Sequence, residues 1–99
     1  MRRNVSRGSV RGLSDIAAVF AGIGDAATML RFFGEIFTAT ERNNIGLRWQ
    51  LMKMLARGVP QRTIARRLGV SLCKITRGAK ILRQRNSVSK NVLRRTAEN

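Results

Sequence analysis

The sequence predicts an all-α fold, and three observations lead to that prediction. Apolar residues recur at helical spacing in successive segments of the chain. Glycines and capping residues mark the ends of these segments. Residues 61–82, QRTIARRLGVSLCKITRGAKIL, contain the residue pattern of two short helices joined by a tight turn. The rest of the chain is organised around this stretch.

The first helix of this pair is predicted from Pro60 to about Arg67, because proline suits a first helical position where its missing N–H is not needed. The turn follows at residues 68–71. Gly69 stands where a left-handed backbone conformation usually ends a helix. Ser71 can cap the second helix, since its hydroxyl can accept a hydrogen bond from an unpaired backbone N–H.

The two helices have a distinct inner and outer face. Four apolar residues are spaced to meet between them: Ile64, Leu68, Val70 and Ile75. Ala65 is small enough to let the helices close. The outer residues are basic or hydrogen-bonding: Gln61, Arg62, Arg66, Arg67, Lys74, Thr76, Arg77 and Lys80. This arrangement predicts a helix-turn-helix that binds DNA. The alternative is a helical hairpin with a solvated charged face.

The charge supports a polyanionic partner. The chain has 99 residues, 20 lysines and arginines, five acids and a net charge of +15. In a small domain this many positive charges repel one another, and a polyanionic partner would neutralise them. Nucleic acid is the partner that fits best, and a membrane surface is a second possibility. From residue 57 onward only Glu98 opposes the basic residues. We therefore expect the N-terminal half to form core or interface and the C-terminal half to face DNA.

The residue types argue against catalysis and against a metal site. The chain has one cysteine and no histidine, so neither a metal site nor a nucleophile–base pair can be assembled from the usual residues. One cysteine also excludes an intrachain disulfide and fits a reducing compartment. The N-terminus resembles a signal peptide, but Asp15 interrupts its apolar part. We expect a non-enzymatic protein in the cytoplasm, associated with the nucleoid.

The N-terminal segment divides into an arm and two helices. Residues 1–12 are rich in arginine, serine and glycine and are predicted to be a flexible basic arm. Residues 13–99 are predicted to form a single helical domain. Its first helix is expected from Leu13 to Ile23, capped by Ser14 or Asp15.

The second predicted helix is apolar on most of its circumference. It is expected from Ala26 to about Phe37, with Asp25 as its cap. Its apolar residues are Met29, Leu30, Phe32, Phe33, Ile36 and Phe37. A helix that is apolar nearly all round must be buried nearly all round, which favours a second copy of the chain as its partner. A monomeric core is the alternative.

The middle of the chain begins with a capping box. Thr38 precedes Glu41 by three residues, which predicts a helix start there. The helical pattern continues to Gly58, and Gly46 either breaks or bends it. Trp49 is predicted to be a core or dimer-interface aromatic. A closing helix after residue 86 is predicted to have Val88, Val92 and Leu93 on one face and Ser87 or Ser89 as its cap.

Two blocks of this chain resemble the tryptophan repressor family. The first is FTATERNNIGLR, residues 37–48, and the second is the Gln-Arg start, Leu-Gly turn and Ile-Thr-Arg-Gly run of residues 61–82. The resemblance implies an intertwined, all-helical homodimer with one helix-turn-helix head in each chain. It also implies that a small amino acid binds between head and dimer core and sets the spacing of the heads.

The resemblance places ligand contacts at Thr38, Arg48, Arg77 and Gly78. Two guanidinium planes can stack on an indole ring and attract a carboxylate. Gly78 costs about 1 kcal/mol of helix stability relative to alanine, and room for a flat ring would explain it. The alternatives are that the helix tolerates this weakness or that another helix packs closely there. Backbone oxygens of Glu35, Phe37 and Thr38 lie where a helix end suits an ammonium group.

For DNA, the resemblance implies a near-palindromic operator with half-sites about 34 Å apart or a multiple of that, a docking geometry known for helix-turn-helix repressors that include the Trp repressor itself. Arg62 is the best candidate for a direct base contact, since arginine reads guanine with two hydrogen bonds. Base edges are expected against residues 71–76, which include Ser71, Leu72, Cys73 and Lys74. Phosphate contacts are expected from Gln61, Arg66, Thr76, Arg77 and Lys80.

The chain departs from the family at three informative positions. Lys74 replaces a threonine of the recognition helix, Ile81 replaces a serine near the ligand, and Ala65 replaces a phosphate-contacting lysine, although Arg66 is adjacent. Lys74 is expected to change the operator sequence. Because Ile81 stands where the family has a serine near the ligand, the identity of the ligand stays open. It could be an amino acid other than tryptophan, or the protein could bind no ligand.

These observations predict a dimeric, sequence-specific DNA-binding transcriptional regulator. It is expected to be a repressor whose DNA affinity rises with L-tryptophan or a similar aromatic amino acid as corepressor, with no metal and no membrane partner. One alternative is a constitutive DNA-binding protein that needs no ligand, such as a recombinase accessory or nucleoid-type protein. Another is a basic RNA-binding or ribosome-associated protein.

Overall fold

The computed structural model describes residues 6–97, and six α-helices account for most of them. Their bounds are α1 Arg7–Gly22, α2 Ala26–Ile36, α3 Ala39–Ala56, α4 Gln61–Leu68, α5 Leu72–Arg83 and α6 Val88–Ala97. The described residues contain no strand, which confirms the predicted all-α class. None of these helices combines the length and the apolarity that a membrane crossing requires.

The chain forms two compact units, one ending at Ala39 and the other beginning at Thr40. The boundary falls in the first turn of α3. The first unit contains α1 and α2, and the second contains nearly all of α3 together with α4, α5 and α6. A single domain over residues 13–99 stays a prediction.

Helix α1 begins six residues earlier than the sequence predicted. The Ser6 hydroxyl accepts a hydrogen bond from the Ser9 N–H at 3.0 Å and caps the helix at Arg7. Ser14 and Asp15 lie inside the helix and do not cap it. The predicted boundary between arm and helix at residue 12 is therefore wrong, because the cap satisfies an N–H group that glycine-rich residues 7–12 would otherwise leave unpaired. Residues 1–5 of the predicted arm lie outside the described residues.

Helix α2 begins where its cap was predicted. The Asp25 carboxylate accepts a hydrogen bond from the Thr28 N–H at 2.9 Å. This backbone hydrogen bond holds the pKa of Asp25 below its ordinary value. Because the folded pKa is lowered, the cap stabilises α2 at neutral pH, and its contribution is lost as the pH falls through the folded pKa.

Four phenylalanines pack together in the first unit. The ring of Phe20 on α1 lies 5.9 Å from that of Phe32 and 5.4 Å from that of Phe33, both in edge-to-face geometry, and Phe37 completes the group. Such pairs stabilise contacts beyond the area that they bury. Even so, no described residue of this unit is buried, and Leu30 is 68% exposed.

Helix α3 is continuous through Gly46, so this glycine does not break it. The helix begins directly after Thr38, at the predicted start. Trp49 is 37% exposed and is not part of the core of this chain. Its alternative place in a dimer interface stays a prediction.

The core lies in the second unit. Its buried apolar residues are Leu51, Met52, Ile64, Ile75 and Leu93. Helix α6 joins this core through Leu93, whereas Val88, predicted for the same face, is 74% exposed because it is the first residue of the helix. The Ser87 hydroxyl accepts from the Lys90 N–H at 3.1 Å and caps α6, as one of the two predicted alternatives.

Candidate nucleic-acid interface and ligand cavity

Helices α4 and α5 are joined by a short turn whose geometry follows from two residues. Gly69 has φ +66°, in the left-handed region, and its N–H donates to the Ala65 carbonyl oxygen at 2.9 Å. The Ser71 hydroxyl accepts from the Lys74 N–H at 3.3 Å and caps α5. Both local predictions are confirmed. Pro60, predicted as the first helical residue, is instead the N-cap of α4, with ψ 142°.

The apolar residues that were predicted to lie between α4 and α5 pack together in the structure. Ile64 and Ile75 are both fully buried, at 0% exposure. Ala65, Leu68 and Val70 pack against this core. Fully burying each isoleucine contributes about 1.5–3 kcal/mol. The core therefore fixes which residues of α4 and α5 face outward.

All ten residues predicted to contact DNA are exposed: Gln61, Arg62, Arg66, Ser71, Leu72, Cys73, Lys74, Thr76, Arg77 and Lys80. They occupy α4, the N-cap of α5 and the outer side of α5. Five of them are cations, and none is an acid. In chemical terms this surface can donate hydrogen bonds to phosphates and to base edges. We call it the α4–α5 basic face.

A cavity of about 190 Å³ lies between one face of α3 and one face of α5. Helix α3 contributes residues at helical spacing, namely Asn44, Leu47, Arg48, Leu51 and Met52, with Trp49 beside them. Helix α5 contributes Lys74, Arg77, Gly78 and Ile81, again at helical spacing. Val70 and Ser89 complete the lining. We call this the α3–α5 cavity.

The α3–α5 cavity brings together three of the six predicted ligand residues, Arg48, Arg77 and Gly78. The other three, Glu35, Phe37 and Thr38, belong to the first unit, at the end of α2 and directly after it. Their contact with a ligand stays a prediction. A larger cavity of about 560 Å³ lies among α3, α5 and α6, and none of the predicted ligand residues lines it.

Lys74 lines the α3–α5 cavity, although the sequence assigned it only to DNA. The signal that could have found it is its spacing, because Lys74 precedes Arg77 by three residues and Gly78 by four. Residues at these separations share one face of a helix. Lys74 therefore borders both the cavity and the α4–α5 basic face.

Gly78 is buried, and close packing of α3 explains why a glycine stands there. A Cβ at this position would lie 2.8 Å from Leu51 Cδ1, 3.0 Å from Met52 Sδ and 3.1 Å from Leu55 Cδ1. These distances are shorter than van der Waals contact. The structure thus supports the packing alternative for this glycine, and its role in admitting a ligand stays a prediction.

Gly46→Ala is expected to stabilise the protein, whereas Gly78→Ala is expected to leave its stability unchanged or to lower it. Alanine gains about 1 kcal/mol of helix propensity at either site. At Gly46 the new methyl group meets nothing within 4 Å, so stabilisation is expected. At Gly78 it meets three side chains of α3, and such overpacking costs about 1–3 kcal/mol. Chemical denaturation of both variants measures the difference, and equal stabilisation would show that the side-chain ends of Leu51, Met52 and Leu55 move aside at little cost.

Of the comparisons with known proteins, the one with protein families gave a match. The sequence matches the family model described as Trp repressor protein over residues 12–97, which is most of the chain. The chain belongs to the Trp repressor family. No curated protein and no solved structure was found to match.

Membership in the Trp repressor family makes this chain a DNA-binding transcription regulator and places it in a regulatory family, not an enzyme family. The family match spans all of α2 to α6 and therefore covers both the α4–α5 basic face and the α3–α5 cavity. No group of three or more histidine, cysteine, aspartate or glutamate side chains in the described part of the chain could hold a metal ion.

Proposed function

We propose that this protein is a homodimeric repressor that binds a near-palindromic operator and whose DNA affinity rises when an aromatic amino acid, L-tryptophan in the first instance, binds the α3–α5 cavity. The observation that carries the proposal is the cavity itself. Arg48 and Arg77 line it from two different helices, and Arg77 also belongs to the α4–α5 basic face. A ligand bound there would act on the helix that contacts DNA.

The DNA part of the proposal rests on exposure and charge. Arg62 is exposed in the first turn of α4, where its guanidinium can reach a base edge. The capped start of α5 presents outward Ser71, Leu72, Cys73, Lys74 and Thr76. Arg66, Arg77 and Lys80 are exposed cations that can hold phosphates. The buried pair Ile64 and Ile75 fixes which residues of α4 and α5 face outward.

The homodimer is supported by apolar surface that the chain leaves uncovered. The described residues of the first unit include no buried residue, and Leu13, Leu30 and Ile36 are each at least 50% exposed. In the second unit Trp49 is exposed at the border of the larger cavity. A second copy of the chain would cover such surface, and a two-fold dimer would present two α4–α5 basic faces to successive major grooves.

The ligand part of the proposal rests on the cavity lining. Leu47, Leu51 and Met52 provide an apolar wall, while Arg48 and Arg77 provide planar cations that can stack on an aromatic ring and attract a carboxylate. A regulator of this kind acts while it is bound to its operator DNA. We therefore propose that the protein is located on the nucleoid.

Calorimetric titration of L-tryptophan into the folded protein tests the corepressor, with tyrosine as a comparison ligand. Saturable binding of one ligand per chain, followed by selection of an operator sequence that the liganded protein binds more tightly, is the expected result. If no aromatic amino acid binds while duplex DNA does, the protein is a constitutive DNA-binding regulator. If structured RNA binds more tightly than duplex DNA at the same salt concentration, the operator proposal is wrong.

Arg77→Ala is expected to weaken both L-tryptophan binding and operator binding, because one side chain lines the cavity and also belongs to the α4–α5 basic face. Loss of a hydrogen bond to a charged group costs about 1.5–3 kcal/mol, or about 10- to 100-fold in affinity. Arg83→Ala is the matched control, since Arg83 is exposed at the end of the same helix and does not line the cavity. Ligand affinity that is unchanged in Arg77→Ala would place the ligand elsewhere.

A further inference from the structure

We infer that the larger cavity, which is lined by α3, α6 and Leu82 of α5, binds a phosphorylated nucleotide, with Trp49 against the base and four cations around the phosphates. We call it the α3–α6 cavity. Its described lining includes no residue of the α4–α5 basic face and shares only Trp49 with the α3–α5 cavity. A nucleotide bound there would be a ligand in addition to the proposed corepressor and operator.

Two pairs of cations border the α3–α6 cavity. Lys53 and Arg57 are four residues apart, and the Arg57 N–H donates to the Lys53 carbonyl oxygen at 3.1 Å, so the helical spacing of α3 extends to Arg57. Lys90 and Arg94 are four residues apart on α6. Residues at this spacing share one face of a helix. None of the described residues that line the cavity is an aspartate or a glutamate, so its charge has one sign.

Helix stability alone does not explain all four cations. Lys53 and Arg94 lie in the last turns of their helices, where the helix dipole favours a cation. Lys90, in contrast, is the third residue of α6, and its N–H donates to the Ser87 hydroxyl that caps this helix. The first turn of a helix carries a partial positive charge, which disfavours a cation, and Lys90 is also repelled by Arg94 at a separation of four residues. An anionic ligand accounts for a lysine at this position.

The guanidinium of Arg94 is oriented by its own helix. Its Nη2 donates to the Asn91 Oδ1 at 2.8 Å. A guanidinium carries five N–H donors in a planar fork, so the others can donate to phosphate oxygens in pairs. Because a side chain that is already held loses less freedom when a ligand binds, this hydrogen bond prepares Arg94 for an anion.

The remaining lining suits an aromatic base. Trp49 precedes Lys53 by four residues, which places both on one face of α3, and the Trp49 side chain is 37% exposed. Bases stack on such rings with little regard to their identity, because every base has a π-face. The apolar part of the cavity is formed by Leu55, Ala56, Leu82, Leu93 and Ala97. The lining therefore selects for a ring that carries negative charge.

The size of the α3–α6 cavity fits one nucleotide. Its volume of about 560 Å³ lies within the range of about 300–1,000 Å³ that small ligands occupy. A concave site of this size admits a single ring with its phosphates and excludes a duplex. Since four cations can each donate to phosphate oxygens, affinity should rise with the number of phosphates on the ligand.

The test uses ATP as the probe, without divalent metal ions, and compares it with AMP, adenosine and inorganic triphosphate. Calorimetric titration into the unmodified protein is done at an ionic strength of about 0.15 M, where exposed charges more than about 8 Å apart are screened. We expect one ATP per chain, bound about tenfold more tightly than AMP, and adenosine as the weakest ligand. Trp49 is the only tryptophan of the chain, so ATP should quench its fluorescence and inorganic triphosphate should not.

Neighbouring arginines of α6 provide a matched pair of variants. Arg94→Gln should weaken ATP and inorganic triphosphate about tenfold, because it removes a charged donor from the cavity. Arg95→Gln makes the same change of charge one residue later, at an exposed position that does not line the cavity, and should weaken either ligand about twofold at most.

Two further variants separate the base from the phosphates and binding from folding. Trp49→Leu should weaken ATP at least about fivefold and leave the affinity for inorganic triphosphate unchanged, since only the base contact is lost. Lys90→Gln should weaken both ligands without lowering Tm, because it removes an unfavourable cation from the first turn of α6.

Several results would overturn the inference. If adenosine binds as tightly as ATP, the phosphates have no part in binding. If Arg94→Gln and Arg95→Gln weaken ATP equally, the effect is one of net charge. If a single-stranded oligonucleotide displaces ATP and binds far more tightly, the cavity holds a nucleic-acid strand and not a free nucleotide.

A second copy of the chain is the competing occupant, because the proposed dimer would also cover Trp49. If ATP does not bind and Trp49→Leu raises the dissociation constant of the dimer in sedimentation experiments, the second copy fills the α3–α6 cavity and the inference is wrong. Binding of L-tryptophan and of operator DNA is measured separately in the same protein, so this failure would leave the proposed function in place.

Discussion

Ile75→Ala is expected to destabilise the protein by about 2–5 kcal/mol, a larger effect than either glycine substitution should have. Ile75 is fully buried and packs with Ile64 between α4 and α5. Truncation removes apolar burial and leaves a cavity that the short helices can close only in part. Since the second unit has only five residues in its buried apolar cluster, such a loss is a large share of its stability.

Thermal unfolding followed by circular dichroism at fixed protein concentration measures this effect, and Tm should fall by at least about 10 °C. The concentration is fixed because the proposed dimerisation would make the apparent stability depend on it. Thr76→Ala is the matched control, since Thr76 is the exposed neighbour of Ile75 and its loss should cost no more than about 0.5 kcal/mol. Ile75→Val should cost about 0.5–1.5 kcal/mol. A Tm that is similar in Ile75→Ala and Thr76→Ala would contradict the packing of α4 on α5.

The affinity for operator DNA is expected to fall about a thousandfold between 50 and 200 mM monovalent salt. Arg66, Arg77 and Lys80 of each protomer are the cations proposed to hold phosphates, which makes roughly six contacts in a dimer and a slope of about −5 in a plot of log K against log salt concentration. Fluorescence anisotropy with a labelled operator at several salt concentrations measures this slope.

Arg66→Ala tests how much the phosphate contacts of one arginine contribute to that slope. It removes two of the proposed contacts from a dimer and should make the slope less steep by about 1.8. Ser6→Ala is the matched control, because Ser6 lies in the first unit, caps α1 and carries no charge. A slope near zero would mean that phosphates contribute little to binding, in spite of a net charge of +15.

Local features of the fold could be predicted because short segments of the sequence determine them. Gly69 takes the left-handed conformation, and Ser71 and Asp25 each accept a hydrogen bond from an N–H three residues later. These features depend on backbone sterics and on neighbouring hydrogen-bond groups. The burial of Ile64 and Ile75 also followed from helical spacing, because only one face of each short helix is continuously apolar.

One local feature and two features that depend on distant residues were predicted less well. The start of α1 was wrong by six residues, since the sequence offered several possible caps and the fold uses Ser6. Trp49 was expected in a core or a dimer interface; within this chain it is exposed, so the core alternative is wrong and the interface stays a prediction. Gly78 was explained by room for a ligand or by close packing, and only the position of Leu51, Met52 and Leu55 beside it supports the second explanation.

By itself the sequence determined the helical class, the pair α4 and α5 with its turn, the caps of α2 and α5, and the basic character of the outer surface. These properties follow from residue type and from separations of a few residues. The tertiary structure decided that Lys74 lines the same cavity as Arg48 and Arg77 and that Gly78 is where α3 approaches α5. Residues on two helices more than 20 positions apart in the chain meet there, and the packing of the helices, which no local pattern encodes, brings them together.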